Sequence, residues 1–206
     1  MSILILDFAN TGLKLLRGMV VTIVLCVACS PSTPAITQTS IAPPTPTTTT
    51  PTPSPPSQPR KPYTYKQGGF ALTPPPDWQF KQISGLKYGV WESGDGASIN
   101  VVDGTFSGTL AEYADLNLAS VAKAFKRFKK ISQAEFQTNS GITGIEVVSE
   151  SQQLGNQLRQ SFYFFASPPD QKPDKKIIVT CTSTAKDVDR LAAICATSLK
   201  TFKFGI

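Results

Sequence analysis

The sequence contains no histidine. That removes the commonest general base, the commonest zinc ligand and every Ser-His or Cys-His dyad. Long apolar runs are missing too. Residues 18–28 form a run of about 11 mostly apolar residues, whereas a spanning helix needs about 20. A strong charge of one sign is also absent: 20 Lys+Arg stand against 14 Asp+Glu. Beyond residue 28 the balance is 18 basic to 13 acidic, and over residues 63–206 it is 16 to 13. So mild an excess favours anionic surfaces slightly and excludes a dedicated nucleic-acid binder. No carboxylate pair stands out for acid–base work of the glycosidase kind. Asp95, Asp103, Glu112 and Asp115 fall near loops or a helix start, without the spacing of a metal loop. No catalytic residue, metal or cofactor is therefore expected, and the chain is read as non-enzymatic.

What is present divides into three kinds of chain. Residues 1–28 read as an export signal: Lys14 and Arg17 precede the apolar run Gly18–Ala28. The segment Leu25-Cys26-Val27-Ala28-Cys29 resembles a bacterial lipobox, with small Ala28 just before Cys29 and Cys26 where that pattern prefers leucine. The resemblance implies a diacylglyceryl thioether on Cys29, and several acyl chains hold a protein on a membrane far better than one. An ordinary cleaved signal, or an uncleaved anchor, is the alternative. Residues 29–62 hold 11 of the 17 prolines and no aromatic residue. Such composition cannot bury enough apolar area to offset its ordering entropy, so a disordered tether is expected. Proline bias favours extended backbone, so the tether could reach roughly 100 Å at full extension. A proline-rich ligand for a partner domain is the alternative reading of the same residues.

Residues 63–206 have ordinary composition and a length typical of one domain. Alternation and β-branched or aromatic content predict strands at 69–73, 86–92, 97–102, 135–138, 144–150, 157–166 and 176–182. Ser93-Gly94-Asp95-Gly96 and Leu154-Gly155-Asn156 mark hairpin turns. Thr109-Leu-Ala-Glu112 is a capping-box pattern that opens a helix, expected to run to about Lys130. A second helix follows Thr184, with Asp187 in its first turn and Val188, Leu191, Cys195, Leu199 and Phe202 along one face. Hairpin-linked strands and two helices predict an α+β fold, an antiparallel sheet flanked by helices.

The order of these elements resembles the PsbP-like family. The resemblance rests on Phe70-Ala-Leu-Thr-Pro-Pro-Pro-Asp-Trp78, the hairpin, and the helix with Tyr113 and Asn117-Leu118. It continues through Gly141–Val148, Arg159–Phe165, Val179-Thr-Cys-Thr and the final helix ending Ser198-Leu-Lys-Thr-Phe202. The family implies an α/β/α sandwich without a common enzymatic activity. Its members are photosystem II extrinsic subunits, thylakoid-lumen assembly factors and bacterial lipoproteins. What it implies here is a membrane-anchored binding or assembly lipoprotein, on the periplasmic face or in the thylakoid lumen. Its partners would be the membrane and a membrane protein complex, photosystem II in a photosynthetic cell. An envelope small-ligand carrier or an atypical hydrolase is the alternative.

Three groups of residues are candidate sites besides the acidic ones. Cys29 is the candidate lipidation site. Cys181, on a strand, and Cys195, on the next helix, form a disulfide if the two elements cross obliquely, and are otherwise buried apolar cysteines. Lys123, Lys126, Arg127 and Lys130 fall on one face of the first helix if it runs to Lys130. They are a candidate docking patch for an acidic protein surface or anionic lipid, or a plain solvated face. Trp78 is read as a core anchor, and Trp91 lies on a strand beside a turn.

Overall fold

The computed structural model describes residues 61–170, 174–184 and 188–205. Cys29 and the signal and tether segments up to residue 60 lie outside them, as does Asp187. Ten strands form two antiparallel sheets among the described residues. A three-stranded sheet has the order β1-β2-β10, from Tyr63–Tyr65, Phe70–Leu72 and Lys203–Phe204. A seven-stranded sheet has the order β3-β4-β5-β9-β8-β7-β6. Its strands are Gln79–Lys81, Val90–Glu92, Ser98–Thr105, Lys175–Thr184, Asn156–Ala166, Thr143–Gln153 and Lys126–Gln137 in that order. Helix α1 spans Leu110–Ala124 and helix α2 spans Val188–Lys200.

Alternation along β8 decides where the helices go. Phe162 and Phe164 point to one face, Tyr163 and Phe165 to the other, and all four are buried. The first pair joins Tyr113, Leu118, Val121 and Phe125 beneath α1. The second pair joins Leu191, Leu199 and Phe202 of the α2 side, together with Phe70 and Leu72 of the small sheet. Phe165 and Phe202 stack with ring centroids 4.4 Å apart. Trp78 and Trp91 are both buried on this side, and the Trp91 indole N–H donates to Tyr65 Oη at 3.1 Å. Gly144 sits where a Cβ would come within 2.5 Å of the Phe164 carbonyl oxygen and 2.6 Å of the Phe165 ring, so no larger residue fits there unmoved.

Helix α1 begins where the capping box places it. Thr109 accepts from the Glu112 N–H, and the Glu112 carboxylate accepts from the Thr109 N–H at 2.8 Å. Its end differs from expectation. The helix stops at Ala124, Phe125 takes an extended conformation, and β6 starts at Lys126. Lys126–Lys130 has a good helical pattern in isolation. It is drawn instead into pairing with β7, from Lys126 opposite Gln152 to Gln137 opposite Thr143. Tertiary pairing overrides local propensity here. The strand β6 closes one edge of the sheet and carries two register shifts, between Lys126 and Lys129 and between Lys130 and Ser132.

The two candidate cysteines are joined. Cys181 of β9 and Cys195 of α2 form a disulfide with a Cα separation of 6.4 Å, within the span such a bridge needs. The C-terminal end of α2 is tied to the β6–β7 turn: Asn139 N–H donates to Lys200 O at 2.7 Å, and Ser140 Oγ donates to Phe202 O at 2.9 Å.

Candidate interaction surface at the basic end of the sheet

The predicted basic patch keeps its residues but changes its geometry. Only Lys123 lies on α1, in its last turn. Lys126, Arg127 and Lys130 belong to β6, so the four do not share a helix face. Lys126 and Lys129 fall opposite Gln152 and Glu150 of β7, on the α2 side of the sheet. Lys130 falls opposite Ser149, on the α1 side. The basic side chains therefore surround this corner of the sheet. Lys126, Arg127, Lys129 and Lys130 are all exposed. Arg127 has φ of 53°, in the left-handed region, at the first register shift of the strand.

Two members of this surface were not read from the sequence. On a helix running to Lys130, Lys129 falls well off the face shared by Lys123, Lys126, Arg127 and Lys130. Leu154 was read only as part of a turn. It occupies the apex of the β7–β8 hairpin, 77% exposed, with φ of 47°, next to Gly155 with φ of 85°. Two consecutive positive φ values make a two-residue turn of the kind that favours Asn-Gly. A leucine in that conformation is disfavoured by about 1–2 kcal/mol. Its presence where asparagine is expected was the available signal. Within 123–130 and 149–159 there are six basic residues and one acid. That acid, Glu150, is paired with Arg159.

The acidic candidates are dispersed. Asp103 accepts from Lys87 Nζ and, at 2.7 Å, from the Tyr88 hydroxyl. Asp95 accepts from Ser93 and Arg190, and these contacts, Ser93 first, hold its carboxyl below the usual range. Glu112 is engaged in the cap, where hydrogen bonds from the Thr109 backbone and then its side chain lower its pKa although it is fully exposed. Asp115 is exposed on α1. Among the described residues no three His, Cys, Asp or Glu side chains gather in a metal-binding group. A cleft beside the disulfide, lined by Arg159, Ser161, Cys181, Leu191 and Cys195, has a volume of about 10 Å³. That is room for about one water. No described helix is long and apolar enough to cross a membrane.

No family model matches the chain, and no curated protein matches it. Solved structures do. LpqN of Mycobacterium tuberculosis, described as involved in cell envelope biogenesis, aligns with a TM-score of 0.56 at 12% identity. The match covers 71% of this chain and 90% of LpqN. The cyanobacterial PsbP, CyanoP, of Synechocystis aligns with a TM-score of 0.51 at 12% identity, over 70% of this chain and 91% of CyanoP. The domain thus has a PsbP-like α+β fold.

Proposed function

We propose that this chain is a membrane-anchored lipoprotein whose domain acts outside the cytoplasm, as a non-catalytic binding or assembly factor for a membrane protein complex. In a photosynthetic cell that complex is a photosystem. One observation carries the reading. The sheet beneath α1 and α2 is packed by the domain's own side chains, whereas the basic edge strand β6 stands exposed along nearly its whole length and offers a surface for recognition. Three further features support it: the lipobox-like Cys29, the proline-rich segment behind it, and a fold shared with CyanoP and with an envelope-biogenesis protein. A cell without photosystems would use the same architecture on an envelope complex.

The test is affinity purification of the full-length tagged protein from detergent-solubilised native membranes, with mass spectrometry of what accompanies it. A near-stoichiometric membrane complex is expected. Repeated recovery of the protein alone, after crosslinking in the intact membrane, overturns the reading, as does turnover of any substrate by the purified protein.

A further inference from the structure

The apex of the β7–β8 hairpin combines three features that packing does not account for. Among the described residues Leu154 is the most exposed of the large apolar side chains, 77% open to solvent, and lies in neither core. Its φ of 47° suits asparagine or glycine better, so neither the backbone nor solvation favours leucine there. Basic residues stand directly behind it on the neighbouring edge strand. We infer that this apex and its basic collar form a contact for a bilayer rich in anionic lipid. Leu154 enters the headgroup–acyl boundary while Lys126, Arg127, Lys129 and Lys130 meet the headgroups.

The spacing fits such a surface. Lys126 lies opposite Gln152, two residues behind Leu154, or about 7 Å along the strand. Lys129 and Lys130 lie opposite Glu150 and Ser149, roughly 13 and 17 Å behind it. Interfacial apolar groups sink about 5–10 Å, and the surface potential of anionic lipid decays over about 8–10 Å at physiological salt. With Leu154 inserted, Lys126 and Arg127 reach the headgroup layer. Lys129 and Lys130 then sit within the attractive field on opposite faces of the sheet. Glu150, the acid opposite Lys129 on β7, is already paired with Arg159.

A lipid surface suits this shape better than an acidic protein. The hairpin ends in one exposed leucine, and leucine is under-represented among the residues that anchor protein interfaces. A fluid boundary layer accepts a lone protruding apolar group without a matching pocket. The inference goes beyond the docking reading and stands on the folded domain alone.

Residues 61–206 carry both cores, the disulfide and the covering elements. This segment, and the full lipidated chain reconstituted in vesicles as a second format, would be tested on phosphatidylcholine vesicles with and without phosphatidylglycerol. The segment is expected to co-sediment with the anionic vesicles and not with pure phosphatidylcholine, with binding weakened by added salt. Leu154→Asn is expected to weaken binding about tenfold while leaving the fold intact. The combined Lys126→Glu, Arg127→Glu, Lys129→Glu and Lys130→Glu change is expected to weaken it about a hundredfold or more. In the lipidated chain, an environment-sensitive probe on Leu154→Cys should shift to the blue on anionic vesicles only. No vesicle binding, or binding indifferent to Leu154→Asn, overturns the inference. If the charge reversals instead strip a protein complex from native membranes while vesicles are ignored, the basic end is a protein site and the lipid inference fails, although the docking reading stands. Vesicle binding with no recoverable complex gives the converse.

Discussion

Four tyrosine hydroxyls, at Tyr65, Tyr88, Tyr113 and Tyr163, are placed where ionisation is costly. Burial is the first cause for each; Asp103 adds to the effect at Tyr88 and Tyr113, and Glu146 at Tyr163. Tyr113 is pushed up to about 12, and the others rise further from the ordinary 10.0. A folded-state pKa above the unfolded value means that stability is fully present below the unfolded pKa and is lost as pH rises. Urea midpoints should therefore hold steady up to about pH 10 and fall steeply above it. Replacing Tyr163 by Phe should flatten that alkaline fall, and an unchanged slope would contradict the assignment. The disulfide acts at the same scale. It closes a separation of 14 residues, for which the chain-entropy model gives about 3 kcal/mol. The Cys181→Ala, Cys195→Ala double variant should lose about 2–4 kcal/mol in urea unfolding, and added reductant should then change its midpoint no further. Leu154→Asn should move the other way, gaining about 0.5–1 kcal/mol because asparagine accepts the left-handed turn more readily.

Helix α1 and strand β6 show what a sequence does and does not disclose about an element. The start of α1 was legible because its capping box is local, the partners lying three residues apart. Thr109→Ala should cost about 1 kcal/mol, measured by chemical denaturation. The end of α1 was not legible. Phe125-Lys-Arg-Phe-Lys-Lys satisfies a helical period, and what overrides it is β7, some 20 residues onward. Strands β1, β3 and β10 escaped for a related reason. They have three, three and two residues, too few for a period, and β10 pairs with β2 from the opposite end of the domain. As for the candidate surface, the basic residues were visible, but their arrangement around a corner depended on that misread boundary. The same lysines have an element-level role. β6 is a 12-residue edge whose outer side has no strand partner among the described residues, and lysines and bulges are how proteins keep such edges from pairing with one another. Lys129→Val with Lys130→Val should shift the protein to larger species than the unaltered chain by size-exclusion light scattering. Glutamate at the same positions should leave the size unchanged, since either charge guards an edge. That contrast separates edge protection from lipid contact, which only the positive charge serves.

At the scale of the whole molecule the order of elements carried more information than any single one. Its likeness to the PsbP-like pattern was visible in the succession of the Phe70–Trp78 segment, hairpin, helix, long strands and final helix, and the fold of the domain bears that out. The second, three-stranded sheet was not visible, because it joins residues 63–72 to residues 203–204 across the entire domain. Those distant joins also govern how the molecule comes apart. The α1-side and α2-side cores do not share side chains, yet they share strands: Phe162 and Phe164 serve one, Tyr163 and Phe165 the other. Loss of either core removes one face from the central strands β8 and β9. The two layers should therefore unfold as a unit. Both tryptophans, Trp78 and Trp91, lie on the α2 side, so their fluorescence reports on one face alone, whereas far-ultraviolet circular dichroism follows both. Leu118→Ala, beneath α1, should cost about 2–5 kcal/mol. If the cores are coupled through the sheet, it lowers the urea midpoint equally by fluorescence and by dichroism, although no tryptophan lies on its side. A dichroism midpoint that falls while the fluorescence midpoint stays would mean that α1 and its core melt as a separate unit.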